Sequence, residues 1–253
     1  MHHRLGLAAV AVAAATLLAA CGEDPADGDR TGSSPTSDAP TSPGSPDGTA
    51  TSAPPQQPLT TAALLTDADT VYSDGADWFR TSAAEGDGQD VFNPCTQKSL
   101  EGTGATGVVR GDYELRASAA EAPEVEGDFF VQVVGQYADE EAATTAYDQI
   151  TDWLGDCSSR PEEFTEYKSQ EPRRVQVDGA TAQIVDATYG PVPKELDPTG
   201  DMAYIMETGL LRQGDRITVL TSVIVGQDYN FLDEDGGTPV TRMLPKAAAR
   251  LGR

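Results

Sequence analysis

Histidine is almost absent from this chain: His2 and His3 are the only two among 253 residues. Both lie in a segment that reads as a removable leader, so the remainder has none. Histidine is the usual general base beside a serine or cysteine nucleophile and the commonest zinc ligand, because its ring titrates near neutrality and carries a free lone pair. Without it, neither a Ser-His-Asp nor a Cys-His site can be assembled. No lysine has a serine three residues before it, which removes the Ser-x-x-Lys nucleophile of penicillin-recognising enzymes. Positive charge is also scarce, with 17 Lys and Arg against 41 Asp and Glu and a formal net charge of -24. A surface this acidic neutralises no phosphates and gains no counterion release, so nucleic acid is excluded as an expected partner. Between Gly22 and Pro58 there is no Val, Ile, Leu, Met, Phe, Tyr or Trp. That stretch cannot bury a core and is expected to be a disordered Pro/Ser/Thr-rich tether, its ends on the order of 30 to 40 Å apart.

What is present begins at the N-terminus. Arg4 precedes an alanine-rich apolar run from Leu5 to Ala20, which ends in Leu18-Ala19-Ala20-Cys21. The run holds about 16 residues, short of the roughly 20 that a spanning helix needs. It reads as a lipoprotein signal peptide over residues 1–20, with Cys21 as the lipid attachment site. The expected organisation is then leader 1–20, lipidated Cys21 and tether 21–58, and an extracytoplasmic domain 59–253. The expected location is the outer face of the cell membrane, with the membrane as a partner through lipid on Cys21. Losing Arg4 makes the remainder one unit more negative.

With Cys21 committed to lipid, Cys95 and Cys157 remain in an oxidising compartment and are expected to form one disulfide. A closed loop of about 60 residues stabilises by roughly 4 kcal/mol in the chain-entropy account. Two buried free thiols are the alternative.

From Leu59 on, apolar residues recur in short periodic segments, enough for one core. Leu59 to Leu65 reads as a short helix, and Trp78 to Thr81 and Val108 to Ala117 as extended. Asp128 to Tyr137 has too little polar alternation for an open face and is expected to be central. Asp139 caps the clearest helix, Glu140 to about Gly155, with Ala143, Tyr147, Ile150 and Leu154 inward and Ala142, Ala146 and Trp153 widening that face. Phe164 to Lys168, Arg174 to Val177, Thr181 to Tyr189, Ala203 to Arg212 and Arg216 to Val225 read as strands, the last two joined by the turn Gln213-Gly214-Asp215. A final helix starts at Thr238-Pro239 and reaches Leu251, with Pro245 expected to kink or divide it. The fold class is α+β: a twisted, largely antiparallel sheet flanked by a few helices.

The strand ending near Tyr137, the helix closing in Trp153-Leu154-Gly155-Asp156-Cys157, the late hairpin and the final alanine-rich helix together resemble the PknH-like extracellular sensor domain. Actinobacteria carry such domains on receptor Ser/Thr kinases and on free-standing lipoproteins. The resemblance implies a twisted antiparallel sheet with a large cleft for an unidentified small-molecule or envelope ligand. The kinase sensors have two disulfides, whereas this domain has one possible pair. It has no kinase domain of its own, so signalling would need a membrane protein partner.

Several motifs are weighed and set aside. Gly102-Thr103-Gly104-Ala105-Thr106-Gly107 matches a dinucleotide fingerprint, but an extended segment follows where a helix is required, so it reads as a loop. Placing Gly236 at position six of a calcium loop puts Phe231 and Arg242 where a carboxylate and a bidentate glutamate are needed. A looser calcium site at Asp228, Asp233 and Asp235 competes with a solvated turn, which is preferred. Arg110-Gly111-Asp112 spells an adhesion tripeptide, and Gly-Asp equally suits a tight turn between strands. Trp78, Trp153, Tyr229 and Phe231 can stack on sugars but are read mainly as core. Asp228, Tyr229 and Asn230, just past a strand end, are the candidate ligand-binding residues, offering a carboxylate, a flat ring and an amide on a loop. No cofactor, resident metal or catalytic residue is expected. The functional expectation is a non-enzymatic ligand-binding or sensing module; the rivals are a carboxylate-dependent glycoside hydrolase and a non-catalytic envelope spacer or assembly protein.

Overall fold

Eight antiparallel strands form one open sheet in the order β1-β2-β3-β8-β7-β6-β4, with β5 also pairing to β6. The computed structural model describes residues 57–72, 76–117, 124–156, 161–162, 164–227 and 237–252, so the expected leader, Cys21 and the tether up to residue 56 lie outside the described residues. The strands are β1 (Ala76–Gly86), β2 (Gly107–Ala117), β3 (Glu124–Gln136), β4 (Lys168–Ser169), β5 (Arg173–Val177), β6 (Ala180–Tyr189), β7 (Ala203–Gln213) and β8 (Arg216–Gly226). Two helices accompany them, α1 (Glu140–Asp156) and α2 (Pro239–Leu251). The α+β class is therefore the observed one.

Strand character follows position in the sheet. β8 lies between β3 and β7 and is buried from Arg216 to Ile224, which is why its sequence runs apolar and threonine-rich with no alternation. β1 is an edge strand, and its second half, Thr81 to Gly86, is exposed and built from small and polar residues. Side chains alternate between two faces. One carries Tyr113, Phe130, Ile184, Leu211 and Leu220 beneath α2. The other carries Val108, Val131, Val133, Leu210 and Val219 beneath α1, whose Ala143, Ala146, Tyr147, Ile150 and Leu154 face inward as the helical spacing predicts. Asp139 caps α1 by accepting the Ala142 N–H at 2.8 Å.

Four local expectations are corrected. Leu59 to Leu65 contains only a 3-10 turn, Thr61–Ala63. Its flanks stay extended because sheet side chains take their amides: Gln136 Oε1 accepts the Leu59 N–H at 2.8 Å, and the fully buried Gln132 accepts that of Leu65 at 2.7 Å. Phe164 to Lys168 is not a strand; only Lys168–Ser169 pairs, against Ala187 and Thr188. Pro245 does not divide α2, which runs unbroken from Pro239 to Leu251. Its ring sits on the exposed side, so the buried face of Val240, Met243, Leu244, Ala247 and Leu251 is continuous. Gly111-Asp112 is no turn: it lies inside β2, opposite Gln132 and Val131. A Cβ on Gly111 would stand 3.1 Å from the Tyr113 ring and 3.3 Å from Leu64, so glycine there admits the N-terminal segment onto the sheet.

Candidate functional site

Alternation along β2 places Arg110 and Asp112 on the face shared with α1, two residues apart and side by side. Arg110 donates from Nε to Asp112 Oδ1 at 2.9 Å and from Nη1 to the Val91 carbonyl at 2.9 Å. The other Asp112 oxygen accepts from Ser82 Oγ at 2.6 Å. This ion pair stands between two hollows of about 260 and 440 Å³ that both touch Arg110 and Asp112. The smaller is floored by Val108 and Val133 and walled by Ala84 and Gly86. The larger has Val131 and Phe129 as floor and Val91, Phe92 and Pro94 as wall. The two hollows meet at this ion pair and form a groove, the larger part mainly apolar and the smaller also lined by Glu85 and Asp90.

The wall is the long connection between β1 and β2, residues 87–106, and it is anchored rather than loose. Asn93, 1% exposed, donates from Nδ2 to Thr208 Oγ1 on β7 at 2.7 Å, and its Oδ1 accepts the N–H groups of Cys95 and Thr96 at 2.8 and 3.1 Å. Phe92 and Leu100 sink into the core under α1. Lys98 lies 5.8 Å above the Trp153 ring, linking the same segment to α1. Cys95 is fully buried beside Ala187, Tyr189, Met206 and Val223. With its wall fixed this way, the larger hollow is pre-formed and mainly apolar, the usual character of small-molecule sites.

The carboxylates whose ionisation is raised sit elsewhere. Burial pushes Glu207 up to about 7 and Asp128 up to about 6, and burial also raises Asp186. Glu207 Oε2 accepts the Val240 N–H at 2.9 Å, and its other oxygen accepts from Thr238 Oγ1, so this carboxyl holds the N-terminus of α2. Asp128 Oδ1 accepts the Val225 N–H at 2.8 Å and joins β3 to the end of β8.

The residues singled out in the sequence fare unevenly. Asp228, Tyr229 and Asn230 lie outside the described residues, as do Phe231, Asp233, Asp235 and Cys157. Trp78 is wholly buried core, against Tyr72 and Phe130. Trp153 is half-buried and packs against the core beneath α1. The glycines at 102 and 104 lie in the connection before β2, as read. Among the described residues no group of three or more His, Cys, Asp or Glu side chains is placed to hold a metal ion, and no helix is long and apolar enough to cross a membrane. Sequence reading missed the groove. The Arg-Gly-Asp triplet was visible, but its meaning depended on recognising period-two geometry in place of a turn. Nothing in the sequence marked Asn93 as the anchor of the wall.

Among solved structures, the chain is similar to one titled "Crystal structure of the extracellular domain of PknH from Mycobacterium tuberculosis", at 12% identity over 77% of this chain and 95% of that chain, with a TM-score of 0.45. No protein-family model and no curated protein matches.

Proposed function

We propose that this protein is a lipid-anchored, extracytoplasmic module that binds a small, partly apolar ligand in the groove crossed by Arg110 and Asp112 and has no chemistry of its own. The observation that carries the reading is the anchoring of the groove wall through Asn93 to Thr208, which presents an open apolar surface at little ordering cost on binding. The non-catalytic part is supported by Glu207 and Asp128, the carboxyls with the largest upward shifts, being occupied with backbone amides at element ends. Anchoring through Cys21 is supported by the Leu18-Ala19-Ala20-Cys21 motif and the tether behind it. Pairing of Cys95 with Cys157 is supported by the oxidising compartment that the leader implies and by Cys95 being fully buried. Sensing on behalf of a membrane partner is what the resemblance at Trp153 to Cys157 implies.

Two experiments test this. Metabolic labelling with an alkyne fatty acid should mark the wild-type chain and not Cys21→Ser; labelling of both would sink the anchor. For the groove, 8-anilinonaphthalene-1-sulfonate is a suitable probe, an apolar ring system with an anion for Arg110. One saturable site, weakened by Arg110→Ala, is expected. Absence of saturable fluorescence, or full binding by Arg110→Ala, would overturn the groove assignment.

A further inference from the structure

A second hollow, of about 500 Å³, lies between the exposed flank of α1 and the β5–β6 hairpin, and Arg212 of β7 borders it. It shares no lining residue with the groove at Arg110. Its size is within the roughly 300 to 1,000 Å³ of small-molecule sites, but its lining is more polar than that of the 440 Å³ hollow. Arg174 and Gln176 come from β5, Gln183 from β6, and Tyr147 and Thr151 from α1. Gln183 Nε2 donates to Thr151 Oγ1 at 2.7 Å, fastening the helix flank to the hairpin. Arg212 is held by Glu140 Oε1 at 2.9 Å and is 16% exposed. Arg174 is exposed and makes no ion pair among the described residues.

Arg174, Arg212 and Tyr147 all line this hollow. Burial pushes that phenol up to about 12, while the positive charges of Arg212 and Arg174 act on it in the opposite direction, and Asp148 at the rim adds to burial. The phenol therefore remains a neutral hydrogen-bond donor at physiological pH. Two arginines face this hollow; Glu140 pairs with Arg212 and Asp148 shares the lining, so Arg174 is the guanidinium there without a carboxylate partner among the described residues. The carboxamides and hydroxyls around it both donate and accept, which suits vicinal hydroxyl groups, and the arginines suit a carboxylate or a phosphate.

We propose that this hollow is a second, independent binding site for an acidic sugar, a hexuronate or a sugar phosphate, with Arg174 and Arg212 holding the anion and Gln176, Gln183 and Tyr147 the ring hydroxyls. Isothermal titration of the full purified chain near pH 7 with D-glucuronate, glucose 6-phosphate, inorganic phosphate and D-glucose tests it. At least one of the two acidic sugars should give saturable heat, and which one does so tells the carboxylate source from the phosphate source. Arg174→Gln should weaken that binding at least about tenfold, the loss of a charge-assisted hydrogen bond. Arg212→Gln should do the same, and because Arg212 also pairs with Glu140, the exposed Arg174 keeps the test valid if that second variant misfolds. Lys194→Gln, which removes an exposed charge elsewhere, should leave affinity unchanged. Absence of saturable heat with both acidic sugars overturns the proposal. So does wild-type affinity in Arg174→Gln, glucose binding as tightly as the acidic sugars, or inorganic phosphate matching glucose 6-phosphate.

Discussion

Asp186 on β6 and Glu207 on β7 are direct cross-strand partners, two carboxyls side by side beneath the start of α2. Like charges placed this way repel, and the pair is tolerated because Arg173 reaches both, at 3.4 Å from Asp186 and 3.7 Å from Glu207. Burial is the main cause of the raised Glu207 ionisation, with Asp186 adding to it and Thr238, Val240 and Arg173 opposing it.

A pH dependence follows. Glu207 ionises near 7 when folded and near 4.5 otherwise, so the folded state holds the proton more firmly. Its contribution to stability is full below about 4.5 and is lost as pH rises through 7, a loss on the order of 3 kcal/mol. Asp128, raised from 3.8 to about 6, acts in the same direction over a lower window. Urea denaturation between pH 4.5 and 8 should show Glu207→Gln with a flatter slope than wild type. An unchanged slope would count against the assignment.

Gly209 faces α2 at close range: a Cβ there would lie 2.5 Å from Val240 and 3.1 Å from Leu244. Gly209→Ala should lower unfolding free energy by roughly 1 to 3 kcal/mol through overpacking. Val240→Ala in the same background should recover part of the loss, since it removes the nearest atom, and failure of that rescue would show that steric conflict is not the cause.

Gln132 joins three partners in the core, accepting from Leu65 N–H and Tyr113 Oη and donating to Thr218 Oγ1 at 3.2 Å. Gln132→Met keeps the volume but strands a buried amide, so a loss of about 1 to 3 kcal/mol is expected. Hydrogen exchange should locate the effect at Leu65, with faster exchange there than in wild type.

Asn93→Ala should free the groove wall from β7. Expected results are a loss of about 1 to 3 kcal/mol and weaker binding of 8-anilinonaphthalene-1-sulfonate with the residues on the groove floor untouched. Equal affinity in variant and wild type would mean that the wall is not needed for the site.

Reduction tests the cysteine assignment. If Cys95 pairs with Cys157, a non-reduced digest yields one peptide joining them, and reduction lowers stability by up to roughly 4 kcal/mol. Free alkylation of either residue in the oxidised protein would argue against the pair.

Element identity was readable where periodicity is local. Ala143, Tyr147, Ile150 and Leu154 announce α1, and the alternation of β6 and the buried run of β8 announce strands, because each pattern reflects one element meeting one core. The errors fall where a distant group decides. Leu59 to Leu65 gives up helical hydrogen bonds to glutamines more than sixty residues away. Pro245 stays within α2 because Val240, Met243, Leu244, Ala247 and Leu251 are buried on both sides of it along one face. The candidate sites were the least readable part, since the groove joins the end of β1, β2, β3 and residues 88–97, and the second hollow joins α1 to a hairpin beyond it.

The sequence by itself determined the α+β class and the lack of any histidine beyond His3. These depend on composition and on patterns shorter than about twenty residues, which require no knowledge of what lies opposite. Only the tertiary structure decided that Arg110 and Asp112 cross a groove, that Asn93 fastens its wall, and that Arg174 and Arg212 face one hollow. Each of those is a relation between strands or helices distant in sequence, created by sheet register and by packing, and no local pattern encodes it.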